Sequence, residues 1–155
     1  ISPWVITPEA LEEFKLSPPE REVPLLPHFE DEKSYVFDIN LSAKLIEDDG
    51  TETSLAKTNA KELYYSPVQQ VLHHSSSGSG MTVGDLLGSG TISGIEKRSR
   101  GCFLELTWGG TEPVKLSSGK KRSFIQDNDT VILSGVSESE HYSIGFGDCV
   151  GKIIP

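Results

Sequence analysis

Residues 35–47 alternate between apolar and polar side chains over more than ten positions. Phe37, Ile39, Leu41, Ala43 and Leu45 fall on one side, and the residues between them are mostly polar. This period of two is typical of a β-strand with one buried face. Asp48-Asp49-Gly50 follows as a hairpin turn, so residues 51–58 are predicted to return as the neighbouring strand.

Two stretches show helical features instead. Thr7 precedes Pro8 and Glu9, the order expected for an N-cap, a first helical residue and a first-turn acid, so a helix is predicted over 8–14. Ser66 followed by Gln69 has the form of a capping box, and the apolar spacing of Val68, Val71 and Leu72 predicts a second helix over 66–75.

The rest of the chain has short apolar runs separated by glycine, proline, asparagine and aspartate. These runs predict strands at 86–93, 102–108, 113–116, 123–126, 130–136, 142–146 and 150–154. Many short strands with only two helices indicate a layered α+β fold that is mostly β. The length of 155 residues suggests one domain, or part of one, over residues 1–155.

The composition limits the kinds of molecule that the chain is expected to bind. The formal net charge of −9 argues against nucleic acid, whose phosphates require clustered lysine and arginine. Because the sequence has no run of about 18 apolar residues, no membrane partner is expected. No signal peptide is visible. Cys102 and Cys149 are far apart in sequence, each in a predicted apolar strand, and two buried free thiols in a cytoplasmic protein are expected.

Residues 84–105 carry the candidate chemistry. Gly84, Gly88, Gly90 and Gly94 allow the backbone to approach another group closely, and Thr91 adds a hydroxyl among them. Glu105 lies in the run CFLELTW, where a strand would turn Leu104, Leu106 and Trp108 to the core and Glu105 to the opposite face. From the residues alone, Glu105 is either a solvated carboxylate or part of a site, and Thr91 is either an ordinary strand residue or a ligand contact.

Other polar clusters give weaker signals. His73 and His74 are adjacent on the predicted helix and therefore do not face the same way, which is poor geometry for a shared metal. Glu30 with Glu32, and Glu138 with Glu140, are expected to be solvated acids. The triplet 127–129 resembles the start of an EF-hand loop but lacks the later glycine and glutamate.

Five stretches in order resemble the fumarylacetoacetase family. They are SPWV at 2–5, FDINLSAKL at 37–45, QQVLHH at 69–74, GDLLGSGTISG at 84–94 followed by FLEL at 103–106, and IGFGDCVGKIIP at 144–155. The resemblance covers essentially the whole chain, but only the C-terminal part of that family's catalytic domain. It implies that domain's mixed β-roll.

The resemblance also implies roles for two residues. The glutamate matching Glu105 orients a histidine that activates the hydrolytic water, and the threonine matching Thr91 binds the substrate, a small diketo acid. The family binds a divalent cation, Mg²⁺ or Ca²⁺, and forms a homodimer. Its metal carboxylates and catalytic histidine match positions upstream of Ser2, so no metal ligand is assigned to this chain.

The sequence is compatible with three interpretations. The chain is the C-terminal part of a fumarylacetoacetase, or part of another superfamily member such as an acylpyruvate hydrolase or an oxaloacetate decarboxylase, or a non-catalytic β module that binds a ligand. The stretches at 37–45 and 144–155 resemble fumarylacetoacetase more than the other enzymes. The mass of the native polypeptide discriminates a longer enzyme from a separate module.

We predict that this chain by itself has no hydrolase activity and binds no divalent cation tightly. The histidine that Glu105 would orient and the family's metal ligands both match positions upstream of Ser2. Calorimetric titration of the purified chain with Mg²⁺ or Ca²⁺ should give no micromolar binding. Micromolar binding, or hydrolysis of a diketo acid by this chain, would contradict the prediction.

Overall fold

A computed structural model describes residues 1–31 and 33–155 of the chain. The strands are β1 (Lys15–Leu16), β2 (Val36–Phe37), β3 (Asn40–Ile46), β4 (Glu52–Asn59), β5 (Val114–Lys115), β6 (Lys121–Arg122), β7 (Thr130–Glu138) and β8 (Ser143–Lys152). The α-helices are α1 (Pro67–Ser76) and α2 (Phe103–Leu106). Short 3-10 helices span Pro8–Phe14, Pro27–Phe29, Ala60–Glu62 and Lys97–Ser99.

A four-stranded antiparallel sheet in the order β4-β3-β7-β8 is the centre of the fold. Two smaller antiparallel pairs, β1 with β2 and β5 with β6, lie outside it. Several antiparallel sheets with few helices confirm the predicted α+β, mostly β class.

The β3–β4 hairpin follows from the alternating pattern. Leu41 pairs with Thr58 and Leu45 with Thr53, with one irregularity between Ala43 and Lys44. Gly50 closes the turn at φ +85°, where a residue without a Cβ is favoured, and its N–H donates to Glu47 O at 2.8 Å. The predicted turn and returning strand are confirmed, while the strand predicted over 35–47 is divided into β2, which pairs with β1, and β3 of the four-stranded sheet.

The main core lies between this sheet and the segment that follows it. Its buried members are Leu45, Leu55, Phe103, Leu106 and Leu116, with Val114 and Val131 packed against them. Apolar side chains from β3, β4, α2 and the β5–β6 region therefore share one interior.

The prediction of a strand over residues 102–108 is wrong. Residues Phe103–Leu106 form the helix α2, and the chain after it turns through Trp108 (φ +50°), Gly109 and Gly110, all with positive φ. Leu106 is buried as predicted, but Leu104 and Trp108 are 61% and 65% exposed and do not belong to the core. A helix brings positions i and i+3 to one face, so Phe103 and Leu106 turn inward together.

Other strand boundaries also differ. Residues 86–93 run without a ladder partner, so the strand predicted there is absent from the described structure. The strand predicted at 123–126 lies instead at Lys121–Arg122. The strands predicted at 142–146 and 150–154 are one strand, β8, whose pairing with β7 shifts register between Ser134 and Val136.

Both predicted helical regions are present in altered form. Pro8–Phe14 is a 3-10 helix with Pro8 at its start, but Thr7 makes no side-chain cap. In α1 the capping box is confirmed: Ser66 Oγ accepts from Gln69 N at 3.2 Å, and Gln69 Oε1 accepts from Ser66 N at 3.0 Å. No helix in the described part of the chain combines the length and the apolar character needed to span a membrane.

We predict that Leu106→Ala lowers the free energy of unfolding of this chain by about 2–5 kcal/mol, the usual cost of truncating a buried leucine. Leu104→Ala is the matched control on the same helix. Because Leu104 is exposed, its truncation should change stability by less than about 0.5 kcal/mol. Urea unfolding at low protein concentration measures both, and equal effects would contradict the packing of α2.

Candidate functional site

The loop between residue 88 and α2 folds back on itself. Gly90 has φ +76°, and Thr91, Ile92 and Ser93 then belong to no helix or strand. Gly94 N donates to Ser99 O at 3.0 Å, which closes the loop around the 3-10 helix Lys97–Ser99. Gly94 and Ser99 therefore lie side by side.

An ion pair connects this loop to the chain after α2. Lys97 Nζ lies 2.6 Å from Glu112 Oε2, and its hydrogen bond lowers the pKa of Glu112. Both side chains are more than half exposed, so the pair contributes modestly to stability. It connects the part of the loop before α2 to the turn after it.

Glu105 is the third residue of α2. Phe103 and Leu106 anchor the helix in the core, and Glu105 is left half-buried at the edge of the loop. The hydroxyl of Ser93 donates a hydrogen bond to Glu105 Oε2. Arg100 Nη1 donates to the backbone oxygen of Glu105 at 3.0 Å, so the guanidinium contacts the peptide group, while Ser93 contacts the carboxylate.

Arg100 also has an aromatic neighbour. Its guanidinium carbon lies 5.3 Å from the ring centroid of Trp108, within the range of a cation–π contact. Arg100 thus connects the loop to the backbone of α2 and to Trp108 in the turn that follows the helix.

Thr91 is exposed and borders a cavity of about 180 Å³ between the loop and the four-stranded sheet. Leu41, Ser42, Ala43, Ala56, Thr58, Gly90, Ile92, Gly101, Leu133 and Ser134 complete the lining. The cavity is mostly apolar, and the hydroxyl of Thr58 is buried without a hydrogen-bond partner among the described residues. An apolar pocket with few hydroxyl groups suits a small ligand that carries oxygen atoms.

Gly101 brings the two predicted site residues into one cluster. Its N–H donates to Ser93 Oγ at 2.9 Å, and a Cβ at this position would lie 2.5 Å from Ile92 O and 2.9 Å from Thr91 Cγ2. Gly101 therefore allows residues 91–93 to pass close to the start of α2. Thr91 and Glu105 lie on the loop and on a helix, whereas both were predicted on strands, and their functional roles stay predictions.

Sequence reasoning missed Ser93, Arg100 and Gly101. The only sequence signal for Ser93 is its place two residues after Thr91, because alternate residues of an extended segment share a face. Nothing in the sequence indicated that Gly101 would contact that segment.

The histidine pair predicted not to bind metal lies on α1. His73 and His74 are both exposed, with ring centroids 6.1 Å apart, and the His73 ring lies 6.0 Å from that of Phe29.

The acidic candidates lie apart from this cluster. Glu30, Glu138 and Glu140 are exposed, as predicted, while Glu32 is outside the described residues. Asp127-Asn128-Asp129 is a turn in which Asn128 has φ +69°, and Asp129 Oδ2 accepts from Gln126 N at 2.9 Å.

The donor set of the chain was also tested against a metal. Within residues 1–31 and 33–155, no three histidine, cysteine, aspartate or glutamate side chains come together as ligands. These residues do not fit the divalent cation that the resemblance implies.

Comparisons with known proteins give one consistent result. A family described as "Fumarylacetoacetate (FAA) hydrolase C-terminal" matches residues 1–154. Fumarylacetoacetases from Bos taurus, Arabidopsis thaliana and Homo sapiens are 44%, 43% and 42% identical to the chain, and each alignment covers 100% of it. The chain spans 37% of the length of these relatives.

We predict that Gly101→Ala destabilises the chain by about 1–3 kcal/mol, the usual cost of forcing an extra carbon into a packed site. The added Cβ would collide with the backbone oxygen of Ile92, so the segment 91–93 has to move. Gly88→Ala is the matched control, because a Cβ there meets nothing within 4 Å.

Urea unfolding measures the stability of both variants, and hydrogen exchange of the residue 101 amide reports the contact with Ser93. The amide should exchange faster in Gly101→Ala and at the wild-type rate in Gly88→Ala. Equal stability of the two variants would contradict the close approach.

Proposed function

Because this chain belongs to the fumarylacetoacetate hydrolase family, we propose that it forms the C-terminal part of an enzyme that hydrolyses a carbon–carbon bond in a diketo acid. The proposed substrate is 4-fumarylacetoacetate, and the products are fumarate and acetoacetate, as in the last step of tyrosine breakdown. The observation that supports this proposal best is that Ser93, two residues after the cavity-lining Thr91, holds one oxygen of the Glu105 carboxylate.

Glu105 is proposed as the residue that orients a histidine supplied by another part of the complete polypeptide. A carboxylate that accepts the N–H of an imidazole fixes the ring tautomer and leaves the other ring nitrogen free to take a proton. It also stabilises the imidazolium that forms. Glu105 suits this role because its side chain is half-buried, so water competes less for the carboxylate.

In the proposed reaction, the proton that the imidazole takes from water is returned at the end to the departing carbon. Water loses a proton to the imidazole while its oxygen bonds to a ketone carbon of the substrate. The adjacent carbon–carbon bond then breaks, its electron pair stays on the departing carbon, and a proton completes acetoacetate. Glu105 offsets the positive charge on the imidazole during the first step and does not itself bond to the substrate.

Thr91 is proposed to bind the substrate directly. Its side chain borders the cavity, and its hydroxyl can donate to a ketone or carboxylate oxygen. The apolar lining from Ala43, Ala56 and Ile92 would contact the carbon chain of the ligand.

Further properties of the complete polypeptide are proposed from the family alone. It would use Mg²⁺ or Ca²⁺, held by residues outside this chain, and act as a cytoplasmic homodimer. The cation would supply positive charge to the substrate oxygens.

We predict that Glu105→Gln in the complete polypeptide lowers kcat by about 10²–10⁴-fold with little change in KM. Glutamine is nearly isosteric and still accepts a hydrogen bond, but it carries no charge to offset the imidazolium. Since that charge develops only toward the transition state, the loss falls on kcat. Steady-state kinetics measure the effect, and thermal melts check the fold.

Thr91→Val provides the contrasting variant, because it removes a hydroxyl that touches the substrate before the reaction. It should raise KM as well as lower kcat. A folded Glu105→Gln enzyme with wild-type kcat would return Glu105 to the class of solvated carboxylates and would defeat the proposed function of this residue.

A further inference from the structure

We propose that Ser93 is a positioning residue that holds the Glu105 carboxylate in its working orientation through one oxygen and leaves the other oxygen for the histidine. The inference rests on the proposed function of Glu105, and it assigns to Ser93 a role of its own. Ser93 is not proposed to touch the substrate.

The direction of the Ser93 hydroxyl is set by Gly101. A serine hydroxyl has one hydrogen to donate and two lone pairs that accept. Because the N–H of Gly101 occupies the acceptor side of Ser93 Oγ at 2.9 Å, the hydroxyl hydrogen is directed to Glu105 Oε2. The two hydrogen bonds therefore run in one direction: Gly101 N–H donates to Ser93 Oγ, and the Ser93 hydroxyl donates to the Glu105 carboxylate.

The two carboxylate oxygens of Glu105 are then inequivalent. Among the described residues, the hydrogen bonds of this carboxylate involve Oε2 alone, and Oε1 has no partner. The Arg100 guanidinium and the backbone N–H of Trp108 donate hydrogen bonds to the backbone oxygen of Glu105. They therefore do not compete for its side chain. Oε1 is therefore the oxygen available to accept an imidazole N–H.

Rotation of the carboxylate would remove that distinction. Glu105 lies on a four-residue helix at the edge of the core, and its side chain has several rotatable bonds. Without Ser93, both oxygens could turn toward solvent or toward Arg100. The histidine would then be oriented in only a fraction of the molecules, and the fraction competent for the reaction would fall.

The test compares Ser93→Ala and Ser93→Thr in the complete polypeptide by steady-state kinetics with 4-fumarylacetoacetate. Loss of a hydrogen bond that orients a functional side chain typically costs about 10–100-fold. We expect Ser93→Ala to lower kcat by that factor with KM unchanged, and Ser93→Thr, which keeps the hydroxyl, to restore most of it. Equal losses in both variants would overturn the inference.

Ser99→Ala is the matched control. Ser99 lies in the same loop, and its hydroxyl donates to Glu96 O at 2.7 Å, with no contact to Glu105. It should keep wild-type kcat. A loss as large as that of Ser93→Ala would mean that any disturbance of the loop lowers activity, which would overturn the specific role of Ser93.

A double-mutant cycle with Glu105→Gln separates the two hypotheses. If Ser93 acts only through the carboxylate, the double variant should be no slower than Glu105→Gln alone. Additive losses would overturn the inference. If Glu105→Gln by itself has wild-type kcat, the proposed function of Glu105 fails. If Glu105→Gln is slow but Ser93→Ala has wild-type kcat, only the inference about Ser93 fails.

Hydrogen exchange gives a readout that does not depend on activity. The Gly101 amide donates to Ser93 Oγ, so it should exchange faster in Ser93→Ala and remain protected in Ser93→Thr. Unchanged protection in Ser93→Ala would show that the amide has another acceptor and would remove the basis for a directed hydroxyl.

Discussion

The packing of Phe103 and Leu106 against the sheet is the contact on which the candidate site depends. In a strand, Phe103 and Glu105 would point to the same face, and burying the phenylalanine would bury the carboxylate as well. In the helix α2, Phe103 and Leu106 turn into the core together, while Leu104 is exposed and Glu105 is half-buried. The helix therefore satisfies the apolar residues without the cost of taking a charge out of water.

The segment 91–94 before α2 is held by individual hydrogen bonds and not by a strand ladder. The N–H of Gly94 bonds to Ser99 O, and the N–H of Gly101 bonds to the Ser93 hydroxyl. A segment that is not hydrogen-bonded along its length to a sheet has backbone groups free for other partners. Thr91 consequently borders the cavity and remains exposed, while Ser93 is held by the N–H of Gly101.

Charged groups fix the β5–β6 hairpin, which brings Leu116 into the core. Glu47 at the end of β3 is buried, and Lys120 Nζ lies 3.0 Å from its Oε1. The hydroxyl of Ser118 and the ammonium of Lys120 lower the pKa of Glu47 from its usual value. Arg122 lies 3.8 Å from Glu47 and 3.9 Å from Asp129, which connects the hairpin to the start of β7.

The sequence by itself determined the features that depend on neighbouring residues. The hairpin of β3 and β4 and the capping box of α1 follow from alternation, from glycine at a turn and from a serine three residues before a glutamine. Family membership followed from short stretches in the correct order. The tertiary structure decided what depends on distant partners: that residues 103–106 are a helix, that Leu104 and Trp108 are exposed, and that Gly101 and Ser93 meet beside Glu105. A run such as FLEL satisfies the period of a strand as well as that of a one-turn helix, and only the shape of the core that receives Phe103 and Leu106 distinguishes the two.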